Sequence, residues 1–176
     1  MSNRDTLRDF QSRLASRLQE ARVSGVAASW LAVEAGGKRL LLPLSHAGEI
    51  FGWTRPQIVP YVRPWFLGVA NLRGGLSGIV DVGAFLLDSA PSVRTEVALN
   101  QSRLVALNPL LEVNCALLVD RLLGLRSVDA FVASTEPAAG SADYLGHQYE
   151  DAQGLVWQEL NLQLLSRHPA FLSISN

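Results

Sequence analysis

Apolar positions change their spacing once along this chain, near residue 25. Before that point Leu7, Phe10, Leu14, Leu18 and Ala21 recur every three or four residues, with Arg, Asp, Gln and Glu between them. That spacing predicts an amphipathic helix over 3–22, capped by Asn3 or Asp5 and ended at Ser24-Gly25. Its stripe suits either packing on its own domain or docking in a partner's groove. From Val26 onward the pattern becomes short apolar runs parted by turns. The sequence 27–33 reads as a strand and 34–39 as a polar tip around Gly36-Gly37. The sequence 40–51 follows as a second strand, with Pro43 at an edge or bend. Pro60 and Pro64 suit an extended entry to two further strands, Trp65 to Leu72 and Leu76 to Val82, joined at Gly74-Gly75. That turn displays Asn71, Leu72 and Arg73. A short helical turn over 83–87 and a surface loop over 88–101 come next. A hairpin of 102–108 and 113–120 around Pro109 leads into a strand at 122–128. The small, polar stretch 134–154 reads as a loop. Many short strands with Gly-rich turns and one terminal helix predict an all-β barrel architecture.

Composition narrows the function classes. The 176 residues are 48% hydrophobic and 18% charged, which suits one globular domain with an appendage. Fifteen basic against sixteen acidic residues leave a formal net charge of −1, without the basic excess of a nucleic-acid footprint. Cys115 has no partner for an internal disulfide and lies in an apolar run, as a buried thiol does. The charged start shows no signal peptide, and no run reaches the length of a membrane span. These features predict a soluble, cytoplasmic protein without membrane insertion.

Catalytic chemistry has little to work with. His46, His147 and His168 are far apart and show no metal-ligand spacing, so surface or capping roles suit them and neither metal nor cofactor is expected. No nucleophile elbow, P-loop or dinucleotide fingerprint occurs. Asp81 and Asp120 are set inside strongly apolar runs. They read as strand-end carboxylates paired with backbone amides or an arginine, Arg73 and Arg121 being the candidates. The alternative is an acid–base couple in a small enzyme. A generic ligand-binding β-barrel is a further alternative, and it would need an enclosed apolar pocket.

One string carries more information than its periodicity. GVANLRGGLSGIVDV, residues 68–82, strongly resembles the signature G-V-x-N-L-R-G-x-ϕ-x-P-ϕ-ϕ-D-ϕ (ϕ apolar) of CheW-like domains, the coupling modules of bacterial chemosensory systems. Gly78 replaces the usual proline and Val82 the common leucine, while the Asn-Leu-Arg-Gly turn is intact. AGEIF (47–51) is similar to the family's V-x-E-I, with Ala47 for the usual valine, and VNCALLVD (113–120) to its ϕ-G-ϕ-ϕ-V-D, with Ala116 for the glycine and Val119-Asp120 intact. The closing strand and short helix of the family match 155–169, with Asn161 where Asn or an acidic residue is expected. The resemblance covers about residues 28–167. It implies two small, SH3-like, five-stranded β-barrels that share a core, with a short C-terminal helix. The domains would then be a helix and linker at 1–25 and the barrel module at 26–176.

The resemblance also implies a non-enzymatic adaptor between a chemoreceptor's cytoplasmic tip and the regulatory domain of a CheA-type histidine kinase. The partner-facing residues would be Ala47, Glu49, Ile50, Asn71, Leu72 and Arg73, with Val119 and Asp120 near the junction of the halves. Gly68, Gly74 and Gly75 would keep the central bend tight. The Arg-rich N-terminal segment with Phe10, Gln11 and Leu14, followed by W-L-A-V, looks most like the PilI-type adaptors of type IV pilus and twitching-motility systems.

Overall fold

The computed structural model describes Ser12 and residues 29–176. The helix expected over 3–22 therefore lies outside the described residues except at Ser12, which is helical and exposed. In chain order the strands are β1 (Ser29–Ala35), β2 (Lys38–Pro43), β3 (Ala47–Gly52), β4 (Phe66–Leu72) and β5 (Gly75–Asp81). These are followed by β6 (Arg103–Leu107), β7 (Cys115–Val119), β8 (Arg121–Ser127), β9 (Phe131–Thr135), β10 (Leu145–Asp151) and β11 (Val156–Leu160). Short helices are α1 (Val82–Leu87), α2 (Glu96–Gln101), α3 (Leu162–Arg167) and α4 (Pro169–Leu172).

Two sheets result, ordered β8-β1-β2-β11-β10-β9 and β3-β6-β7-β5-β4. The first barrel thus has six strands rather than the expected five, and it is assembled from both ends of the chain around the second. Its central pair, β2 with β11, is parallel, as is β5 with β7 in the second sheet. Each sheet curls around a core of its own. Trp30, Ala32, Leu41, Phe131, Tyr149 and Trp157 fill the first, with Leu123 packed against them. Ala70, Leu72, Ile79, Leu104, Ala116 and Leu118 fill the second, with Phe51 against them.

The side chains that alternate with these point the other way, into a third and larger core between the barrels. Leu31, Val33, Leu40 and Leu42 come from one sheet, and Val80, Val105, Leu107, Leu117 and Val119 from the other. Strands buried on both faces read as continuous apolar runs because neither face meets water. That is why 30–33, 40–42 and 115–119 show no polar alternation. Trp65, Phe85 and Phe171 close the shared core, with ring centroids 5.1–6.1 Å apart. They fasten the C-terminal helices to α1.

Several local readings change. The sequence 40–51 is not one strand: a turn after Pro43 splits it, and its halves enter different sheets. The loop expected over 88–101 contains α2, capped by Thr95, whose Oγ1 accepts from the Ala98 amide at 3.2 Å. With no buried residue it leaves no apolar stripe to read. The loop expected over 134–154 contains β10, in which Tyr149 alone is fully buried, so the apolar signal is one residue deep. The closing helix is two helices divided at Pro169, which lacks the amide to continue the first. Asn161 caps one. His168 caps the other, its Nδ1 accepting from the Ala170 amide, in keeping with a capping role for that histidine.

Candidate partner-binding surface

The β4–β5 hairpin turns on two residues, Arg73 and Gly74, between the paired Leu72 and Gly75. Both have positive φ, +48° and +76°, the geometry of a type I′ turn that matches the twist of the flanking strands. Asn71 secures it by accepting the Gly74 amide on Oδ1 at 2.9 Å. Arg73 therefore leaves the turn in a fixed direction. Its Nη2 lies 2.8 Å from Glu49 Oε1 in an ion pair, and the arginine side chain stays 77% exposed. This ion pair is with Glu49 and not with Asp81 or Asp120, the carboxylates for which Arg73 is a candidate partner in the sequence.

Glu49 and Ile50 are exposed on β3, an edge strand of the second sheet, and Leu76 is exposed at the start of β5. The pair bridges elements at opposite ends of the sheet order, so it lies where the barrel curls shut. Ala47 is partly buried against the shared core. Leu72 is not displayed as expected: it is buried inside the second barrel. Gly68 is structural for a reason the motif does not show. At φ +132° its missing Cβ makes room for the Gln57 carbonyl, which would lie 2.1 Å from such an atom. Gly75 meets no such crowding and has no positive φ, so its expected role in tightening the bend is not required by the backbone.

Val119 and Asp120 belong to a second cluster, at the junction of the barrels. Val119 faces the shared core with no exposed surface. Asp120 Oδ2 accepts the Gly36 amide of the β1–β2 turn at 2.9 Å, and its Oδ1 accepts from Arg94 Nε at 2.7 Å. Arg94 Nη1 reaches Asp81 Oδ2, also at 2.7 Å, while Asp81 Oδ1 caps α1 through the Ala84 amide. One guanidinium thus joins two carboxylates, replacing the expected partners Arg73 and Arg121; Arg121 pairs with Glu34 instead. Burial lowers the Arg94 pKa, but the hydrogen bonds to Asp81 and Asp120 outweigh it and hold the group above its ordinary value. Strand-end carboxylates, each holding a backbone amide and an arginine, make a structural clamp. They do not form the geometry of an acid–base couple. Sequence reading missed Arg94 because it lies in a polar segment and meets partners 13 and 26 residues away.

Among the described residues no group of three His, Cys, Asp or Glu side chains could hold a metal ion. A groove lined by Lys38, Arg39, Leu86, Tyr144, Gln148 and Gln158 is open to solvent, unlike the enclosed apolar pocket a barrel-type ligand carrier would need. Cys115 is buried, and burial pushes its thiol up to about 12, so it is no nucleophile.

Comparison with known proteins agrees with this architecture. Residues 29–170 match the CheW-like domain. Protein PilI of Pseudomonas aeruginosa is 28% identical over 166 residues, spanning 93% of this chain and 89% of that protein. The crystal structure of the scaffolding protein TtCheW from Thermoanaerobacter tengcongensis superposes with a TM-score of 0.60 at 12% identity, covering 77% of this chain and 89% of that one. With two barrels around one core and a match spanning both, the chain belongs to the CheW-like domain family.

Proposed function

We propose that this protein is a non-enzymatic adaptor that couples a chemoreceptor's cytoplasmic tip to the regulatory domain of a CheA-type histidine kinase. In this reading it serves a type IV pilus and twitching-motility system. The likeness to PilI supports that pathway. The adaptor works in the cytoplasm and reaches receptor arrays through binding; among the described residues no helix is long and apolar enough to cross a membrane. Residues 26–176 are the binding module and 1–25 an appendage.

The observation that carries this reading is the Arg73–Glu49 pair. A guanidinium held by a two-residue turn against an edge-strand carboxylate, with Ile50 and Asn71 beside it, is a preset polar contact next to exposed apolar surface. Exposed ion pairs add little to stability, about 0–1 kcal/mol, because water screens them. At an interface the planar guanidinium offers several donors in fixed directions. Ala47, Glu49, Ile50, Asn71 and Arg73 would meet the partner. Leu72 would support that surface from below, and Val119 and Asp120 would hold the barrel junction. Pairwise contacts of about −8 kcal/mol, micromolar in Kd, suffice when an array multiplies them.

Calorimetry of the chain against the receptor tip and the kinase regulatory domain tests this. Arg73→Ala should cost roughly 2 kcal/mol or more of binding to one of them. The same change should alter unfolding free energy by about 1 kcal/mol at most. The charge-swapped double variant Arg73→Glu/Glu49→Arg separates two roles. It restores binding if the pair acts only within the protein, and fails to restore it if the partner reads Arg73 itself. Absence of binding to either fragment by the unaltered chain would overturn the adaptor assignment.

A further inference from the structure

Two guanidinium groups lie over one indole on the inner face of the first sheet. Arg126 of β8 pairs in register with Trp30, and Arg39 of β2 stands two residues before Leu41. Trp30 and Leu41 both belong to the first barrel's core, so the two arginines share that face. Their Cζ atoms lie 5.2 Å (Arg126) and 6.0 Å (Arg39) from the centroid of the Trp157 ring. Trp157 is buried while both arginines are half-buried, so the guanidinium groups stand between the indole and solvent. What they lack is an acceptor. Arg126 Nε is buried with no hydrogen-bond partner, and among the described residues neither side chain has a hydrogen bond or an ion pair. A buried N–H without an acceptor loses its hydration and gains nothing in return. The carboxylates nearby are already engaged. Asp151 reaches Arg126 only through charge: its Oδ2 accepts from Trp157 Nε1 at 3.0 Å, and its Oδ1 accepts the Gln153 and Leu155 amides. Glu34 holds Arg121, and Glu159 accepts from Trp30 Nε1.

We propose that Arg126 and Arg39 form a carboxylate-binding site for an acidic side chain presented by a partner protein. A carboxylate has two oxygens in one plane, which match the donor fork of a guanidinium. It is also slender. Trp157 is buried, so no ring face is open for a base or sugar to stack on, and only a narrow group reaches the arginines. The receiving geometry is preset: Asp151 fixes the indole by its hydrogen bond, and the indole face steadies both cations before an acid arrives. Local charge points the same way. Lys38, beside Arg39, is exposed and has no ion pair among the described residues, and the two residues line one groove open to solvent. On a chain of net charge −1, that local positive excess favours an acidic partner. A free carboxylate of a few atoms has only these contacts to hold it and binds weakly. The same group on a docked protein arrives at high effective concentration, which is why the source is a partner's side chain. The site lies on the first barrel and is independent of the role assigned to Arg73 on the second.

Titration of the full chain tests the site, read from the nitrogen–proton signals of its arginine Nε–H and tryptophan Nε1–H groups in isotope-labelled protein. The probes are sodium acetate, a blocked tripeptide with glutamate at its centre, and the same peptide with glutamine. With acetate the Arg126 signal should move downfield and saturate, with a Kd on the order of millimolar. The glutamate peptide should do the same, and neither the glutamine peptide nor sodium chloride should. Arg126→Lys and Arg39→Lys keep the charge but lose the fork, so each should weaken binding about tenfold, read on the remaining arginine and on Trp157. Arg121→Lys, at a group already engaged by Glu34, should bind as the unaltered chain does. The rest of each spectrum shows that the barrels are intact; should Arg126→Lys fail to fold, Arg39→Lys and the two peptides decide. Shifts that chloride reproduces mark an adventitious ion only and overturn the proposal. Saturation left unchanged by the lysine variants overturns it as well. Saturation by acetate with none by the glutamate peptide also overturns it, and assigns the arginines to free small carboxylates.

Discussion

Gly68 shows how a single missing methyl group can hold an edge. The Gln57 backbone pairs with Val69 through bonds of 2.7 and 2.9 Å, covering the outer strand β4, and it approaches over Gly68. A Cβ there would collide with backbone, which cannot swing aside as a side chain can. Gly68→Ala should therefore cost about 3 kcal/mol or more. Gly74→Ala should cost about 1 kcal/mol for its positive φ alone, and Gly75→Ala should stay within about 0.5 kcal/mol. Denaturant midpoints of the three variants check this order. His46 offers a second test at this scale. Burial lowers its pKa, with Glu159 opposing, and its Nδ1 is buried without a hydrogen-bond partner. The unfolded chain then binds a proton near the ordinary value of 6.5 that the folded state resists. This contribution to stability is present above that pH and is lost as pH falls below it. Urea midpoints should drop between about pH 7.5 and 5.5, and His46→Gln should flatten that slope.

Among the elements, the segment between α1 and β6 contributes more than its polar sequence promises. Arg94 draws it onto both barrels, because Asp81 caps α1 and Asp120 holds the β1–β2 turn. The same junction is tight at the backbone, where a Cβ on Gly83 would lie 2.6 Å from the Gly36 nitrogen. Arg94→Ala would leave Asp81, 1% exposed, without its countercharge. Breaking a buried pair from one side costs about 3–5 kcal/mol, so a loss of that size is expected in chemical denaturation. Arg94→Lys should fall between, since a point-like ammonium cannot copy a planar fork that spans two carboxylates. A loss below about 1 kcal/mol for Arg94→Ala would show that core packing alone sets the junction.

For the whole molecule, the shared core makes the barrels a single cooperative unit. Residues 44–120 contain every strand of the second barrel, yet Val80, Val105, Leu107, Leu117 and Val119 would face water without the first. Each fully buried side chain of this kind contributes roughly 1.5–3 kcal/mol, comparable in sum to the entire stability of a small domain. The excised fragment should lack a cooperative thermal transition by circular dichroism. The intact chain should melt in one step, with near- and far-ultraviolet signals coincident.

Much of this was legible in the residues. The unbroken apolar runs at 30–33, 40–42 and 115–119 identify strands buried on both faces, and the Asn-Leu-Arg-Gly turn places a tight hairpin with an outward arginine. Those signals are local, arising from a side-chain period of two and from the φ angles a turn demands. Which sheet each half of 40–51 joins, and that β2 pairs with β11 in the middle of the first sheet, depends on strands far apart in sequence. The union of Asp81, Arg94 and Asp120 belongs to the same class, as does the exposure of Leu122 and Leu125 beside a core that buries their cross-strand neighbours. Periodicity reports that a face is apolar; only the packed chain decides what covers it.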